Sequence, residues 1–363
     1  MNMAEGSRIG LMILLLCLSS ASWAADHLKL ALVTWVGYGP WYVAQATGGF
    51  KKYGLDVELV NFTDNAAMVP ALYSGSVDAA ALTYDQVIGA VGKGLSIKVV
   101  MPIDYSAGGD AIIATQNIRS LADLKGQKIA YAPLSPSDFL LAYALAQADI
   151  SEHEIIPVHT SPEGVPAILA SGAAAVGVTY EPNVSAILGS GGKFHVLLST
   201  REAKGIITDV LAVKSNTISR QPRSIEGLIR AYLDGLAYMQ REPDKACAII
   251  ALSLGISPQE AKIQLASVYN PQLGEMMEVF TPGRQMSSFF ASGELIGDIL
   301  LKQRQIPRKP RIEDTFDARF IQALQHARQA VLVPQPPTSP ARPGILRLQH
   351  ARQAVLVPQP LSL

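Results

Sequence analysis

The stretch WVGYGPWYVAQATGGFKKYGLDVEL, residues 35–59, decides how this chain is read. It follows the apolar run LKLALVTW (Leu28 to Trp35), a near-continuous hydrophobic strand of the kind covered by helices on both faces. Pro40 suits the first position of a helix. LDVELVNF (Leu55 to Phe62) then alternates like a half-buried strand. The unit is therefore strand, turn, helix, strand. Its turn carries Trp35 and Tyr38, either as core or as the rim of a pocket; the rim is the expectation for this turn, and packing for Trp41 to Phe50.

Outward from this unit the pattern repeats. VDAAAL, IKVVMPID, KIAYAP, EIIPVHT, AVGVTY and HVLLST read as further short strands, and the helical stretches between them end in glycine, as in SGS, GKG and ASGAA. Asp64 can cap the helix after the second strand, with Pro70 expected to kink it. This is the punctuation of an α/β protein with largely parallel sheets. From Ser224 to Leu301 no good strand is legible, and amphipathic helices follow one another; Ser257 with Glu260 makes a capping box for one of them.

The chain has 363 residues, 49% hydrophobic and 17% charged, enough for two packed domains. Its net charge is zero but unevenly spread: ten basic and three acidic residues lie from Lys302 onward, and 20 basic face 27 acidic before it. An acidic body argues against nucleic acid as a partner. Residues 1–24 read as a cleavable signal peptide, with Arg8, an apolar segment from Ile9 to Leu18 too short to span a bilayer, and cleavage expected between Ala24 and Ala25. Export to the periplasm follows as an expectation. Loss of Cys17 leaves only Cys247, which sits in an apolar helical run and reads as an inert buried thiol. LQHARQAVLVPQP occurs at Leu324 to Pro336 and again at Leu348 to Pro360, joined by a Pro-rich linker; residues 323–363 are expected to be a disordered, duplicated tail.

No catalytic motif, paired zinc cysteines or phosphate-binding loop stands out, so neither cofactor nor metal is expected. What recurs is a polar or aromatic cluster past the end of each strand: Trp35 and Tyr38; Asp64 and Asn65; Asp85; Asp104, Tyr105 and Ser106, with Asp110 beyond; Ser135 and Ser137; Tyr180 and Glu181. Ligands of open α/β sheets bind outside these strand ends. Each residue alone reads equally well as a helix cap.

From Leu28 to about Gly274 the chain resembles the periplasmic substrate-binding proteins of ABC importers in the nitrate/taurine/aliphatic-sulfonate group. The resemblance rests on the opening stretch, ALYSGSVDAAAL, GLSIKVVMPIDYSAGGDAIIA, SLADLKGQKIA, TYEP and IITDVLAV, in this order and spacing. It implies a type II periplasmic-binding-protein fold: lobe one from residues 25–112 and 206–322 with the helical ending packed on it, lobe two from 113–205, and a ligand cleft between. AIIAT (Ala111 to Thr115) becomes the outward crossing and the stretch near Ile206 to Val210 the return. The pocket carried over by resemblance comprises Trp35, Tyr38, Asp64, Asn65, Asp85, Asp110, Ser135, Ser137, Tyr180, Glu181 and Asp209. Leu134 stands where the family often has Gly, and Tyr180 where it often has Trp. The implied partners are a small solute and a membrane permease with its ATPase, the chain itself a monomer. The acids Asp85, Asp110, Glu181 and Asp209, with no Lys or Arg in these clusters, favour a taurine-like zwitterion, or alternatively a cationic nitrogenous ligand of guanidine, amine or pyrimidine type. Rival readings are an enzyme on the same scaffold making a thiamine-pyrimidine precursor, and a sensor module.

Overall fold

The computed structural model describes residues 25–332. The segment expected to be a signal peptide and most of the duplicated tail lie outside them. Eleven strands form two sheets among these residues. The first contains β1 (Asp26–Val33), β2 (Leu55–Phe62), β3 (Ala79–Thr83), β4 (Ile97–Ser106), β10 (Thr208–Lys214) and β11 (Val268–Tyr269), in the order β11-β4-β10-β3-β1-β2. The second contains β5 (Asp110–Thr115), β6 (Lys128–Tyr131), β7 (Ile156–His159), β8 (Val176–Tyr180) and β9 (Phe194–Ser199), in the order β7-β6-β8-β5-β9.

Each sheet is mixed rather than largely parallel. β1 runs parallel to β2 and β3, whereas β10 is antiparallel to β3 and β4. β6 runs parallel to β7 and β8, whereas β5 is antiparallel to β8 and β9. The antiparallel members are the strands at which the chain enters one half and re-enters the other. Strand β5 belongs wholly to the second sheet, so the crossings are residues 107–109 and 200–207, and AIIAT lies past the crossing expected of it. The two crossings are tied to each other: Ser106 Oγ and Thr200 Oγ1 are 2.7 Å apart, and the Gly108 N–H donates to Thr200 Oγ1 at 2.8 Å.

The first strand-turn-helix unit folds as its pattern predicts. β2 spans Leu55–Phe62, and helix Gly39–Thr47 carries Pro40 in its first turn. Pro70 produces no kink, because a 3-10 turn over Asn65–Ala67 precedes it and the α-helix begins at Met68, leaving Pro70 in its first turn. The helical ending covers the first half. Its 20-residue helix Pro222–Arg241 crosses Gly39–Thr47 so closely that a Cβ at Gly235 would stand 2.0 Å from the Pro40 carbonyl oxygen; Trp41 meets Tyr232 edge-on at 5.2 Å. This ending also contains the two-residue strand β11, too short to leave a sequence signature. A helix covers Arg319–Leu332, so the first residues of the segment expected to be disordered are helical. No helix among the described residues is long and apolar enough to cross a membrane.

Candidate functional site

The topology gathers one set of side chains at one edge of each sheet. The C-terminal ends of parallel β1 and β3 share their edge with the N-terminal end of antiparallel β10, which places Trp35, Thr83 and Asp209 together. In the second sheet the same logic joins the start of β5 to the end of β8, Asp110 to Tyr180. The two edges face each other across a cavity lined by Trp35, Tyr38, Asn65, Asp110, Tyr180 and Asp209, with Thr83, Gln86 and Pro136. Its volume is about 20 Å³, space for about one water molecule. The halves are shut on it. Trp35 meets Tyr180 edge-on at 5.9 Å, the Tyr180 hydroxyl donates to Asn65 Oδ1 at 3.2 Å, and Gln86 Nε2 donates to the Leu134 carbonyl at 3.4 Å.

Beneath the lining lies a buried acidic group. Asp104 and Asp209 are register partners on β4 and β10. Trp35 Nε1 donates to both Asp104 oxygens at 3.2 Å, and the Tyr38 hydroxyl donates to Asp209 Oδ1 at 2.6 Å. Burial pushes both carboxyls well above the usual range; the charge of Asp104 raises Asp209 further, while hydrogen bonding from Trp35 and Asp209 opposes the rise at Asp104. Burial also raises Asp110 to about 7, reinforced by the nearby charges of Asp85 and Glu181 and opposed by the Ser106 hydrogen bond. No Lys or Arg lines the cavity. Such a site is short of positive charge.

The turn that opened the question is therefore both core and pocket wall: Trp35 and Tyr38 are 3% and 1% exposed yet line the cavity. Of the other sequence-predicted residues, Asn65, Asp110, Tyr180 and Asp209 join them there. Asp85 and Ser135 instead line an adjoining cavity. Asp64 is outside both, its Oδ1 accepting the Ala66 N–H as a helix cap. Glu181 turns away from the cleft and accepts from the Ser185 N–H and hydroxyl at 3.0 and 2.8 Å. Ser137 is buried with its hydroxyl unpartnered and lines neither cavity. Ser135 spends its oxygen on the Ser137 N–H, and Asp138 accepts the Leu134 N–H just ahead of helix Pro136–Gln147. Sequence reasoning placed Asp104 in a strand-end cluster without assigning it to the pocket; a lone acid closing the apolar run KVVMPI was the available signal. Gln86 was missed because its capping box with Thr83 explains it without a site. No group of His, Cys, Asp and Glu suited to a metal ion occurs among the described residues. Cys247 is buried in helix Pro243–Leu254, away from the cavity lining.

A family model described as NMT1/THI5 like matches residues 35–246. A putative thiamine biosynthesis protein of Haemophilus influenzae is 24% identical over 245 residues, 64% of this chain and 74% of that protein. The riboflavin-binding protein RibY of Chloroflexus aurantiacus is 28% identical over 243 residues, 64% of this chain and 66% of its own length. The crystal structure of the periplasmic aliphatic sulphonate binding protein SsuA of Escherichia coli matches with a TM-score of 0.66 at 20% identity, covering 80% of this chain and 97% of that one. The fold is accordingly that of the periplasmic binding proteins, two α/β lobes with a helical C-terminal part on the first. With the matched residues amounting to more than half its length, the chain belongs to the NMT1/THI5 like family.

Proposed function

We propose that this protein is the solute-binding component of an ABC-type importer, exported to the periplasm, where it captures a small nitrogenous solute between its lobes and delivers it to a membrane permease. The observation that carries the reading is the cleft itself: an inter-lobe cavity walled by Trp35, Tyr38 and Tyr180, containing Asp110 and Asp209 and no basic side chain. The names of RibY and SsuA as binding proteins support the class of function.

The chemistry of the lining selects the ligand's sign. An oxyanion would meet two carboxyls with no Lys or Arg to compensate, and the Ser137 N–H at the nearby helix start is taken by Ser135. A cationic or N–H-rich head matches the acids and can lie on the aromatic faces, a contact of roughly 0.5–2 kcal/mol. The geometry therefore favours the guanidine, amine or pyrimidine alternative over the taurine-like zwitterion. Entry requires the lobes to part about the Ser106–Thr200 crossings, breaking the Tyr180–Asn65 and Gln86–Leu134 bonds; the solute then bridges both lobes and favours closure. The lobe-closed form is the one a permease would distinguish.

Calorimetric titration with guanidine, 4-aminopyrimidine, taurine, ethanesulfonate and nitrate tests this. Binding of the amines with no heat from nitrate or ethanesulfonate is expected; tight nitrate binding and silence from every amine overturns it. The Haemophilus influenzae relative's name keeps the thiamine-precursor enzyme in view. The lining holds no His, Lys or Cys among the described residues to carry such chemistry, and a turnover assay on the bound solute separates the two readings.

A further inference from the structure

A second cavity adjoins the cleft and is built from both lobes. Its volume is about 230 Å³, larger than the roughly 150 Å³ apolar cavity that holds a benzene ring in a well-studied case. Asn65 and Gln86 line both spaces, so the two adjoin at these side chains. The walls are mainly apolar, with Val69, Ala90, Phe139 and Leu300 among them. One polar atom inside it lacks a partner: Oδ1 of Asp85, a residue 7% exposed. Leu134 lies at its rim, half exposed, with its backbone in the left-handed region at φ 56°, a conformation that favours glycine.

We infer that this cavity is the second half of the ligand site: the transported solute is elongated, with its charged head between Asp110 and Asp209, an apolar body of several carbons in the Val69–Leu300 cavity, and a hydrogen-bond donor on that body received by Asp85. The head assignment rests on the reading above; the cavity assignment stands on its own geometry. Burial of a methylene in such a space strengthens binding about fourfold.

Two homologous series, n-alkylamines and n-alkanesulfonates from two to six carbons, decide it by titration. Affinity is expected to climb about fourfold per methylene in whichever series binds. Val69→Trp, which fills the cavity, is expected to abolish the climb, and Ala90→Leu, at another lining position, serves if that variant misfolds. A flat series, or a climb that survives both substitutions, overturns the cavity assignment while leaving the acidic head pocket intact. Sulfonates that climb while amines fail to bind uphold the cavity and overturn the head; no binding in either series overturns both. For Asp85, 5-amino-1-pentanol should bind at least as tightly as pentylamine in the wild type, and about tenfold more weakly than pentylamine in Asp85→Leu. A hydroxyl penalty already present in the wild type removes Asp85 from the proposal.

Discussion

Asp104 and Asp209 sit opposite each other on adjacent antiparallel strands, 105 positions apart in sequence, both buried and each capped by an aromatic donor from the opening turn. Two carboxyls cannot both ionise readily in such a place, so the pair favours keeping a proton. Gly37 makes the arrangement possible: a Cβ there would stand 2.3 Å from both Asp104 Oδ2 and Trp35 Nε1.

The Tyr38 hydroxyl is the donor holding Asp209 in place. Tyr38→Phe leaves a buried carboxyl oxygen unsatisfied and is expected to lower stability by about 1–3 kcal/mol. Urea unfolding checks this; an unchanged midpoint at unchanged slope contradicts it.

Stability should fall as pH rises from 5 to 8. Asp110 in the folded state keeps its proton to about 7, whereas the unfolded chain releases it near the ordinary 3.8. Between those values the native state binds more protons, so each step up in pH favours unfolding, and the loss levels off above the folded value. The raised Asp104–Asp209 pair acts in the same direction. Thermal melts across this window are expected to show a falling midpoint for the wild type and a shallower fall for Asp110→Asn. A rising midpoint would refute the sign.

A cation entering the cleft favours ionised carboxyls and displaces their protons. Guanidinium stays charged throughout the range, so its affinity should increase between pH 6 and 8, by at most tenfold per unit for each proton released. Calorimetry in two buffers of different ionisation enthalpy measures the proton count; a count of zero rejects the coupling.

Helix Pro222–Arg241 docks through Gly235, where there is no space for a side chain against the Pro40 backbone. Gly235→Ala must separate the two helices and is expected to cost about 1–3 kcal/mol, although alanine is the better helix former. A melt that shows Gly235→Ala to be more stable than the wild type would mean that the crossing yields freely.

The amino-acid sequence by itself determined the alternation of strands and helices, because apolar periodicity, Pro at helix starts and Gly at helix ends act over a few residues. β2 matches its sequence boundaries, and the Ser257–Glu260 capping box forms as read. It also marked the strand-end clusters. Only the tertiary structure decided which members of those clusters face the cleft. Asp64, Ser135 and Glu181 spend their oxygens on neighbours two to four residues away, whereas Asp110, Tyr180 and Asp209 turn inward. The antiparallel insertion of β10, the crossing ahead of AIIAT and the Asp104–Asp209 pairing were equally out of reach. Strand register joins residues a hundred positions apart, and no local pattern in the chain encodes which distant strand completes the hydrogen bonding of another.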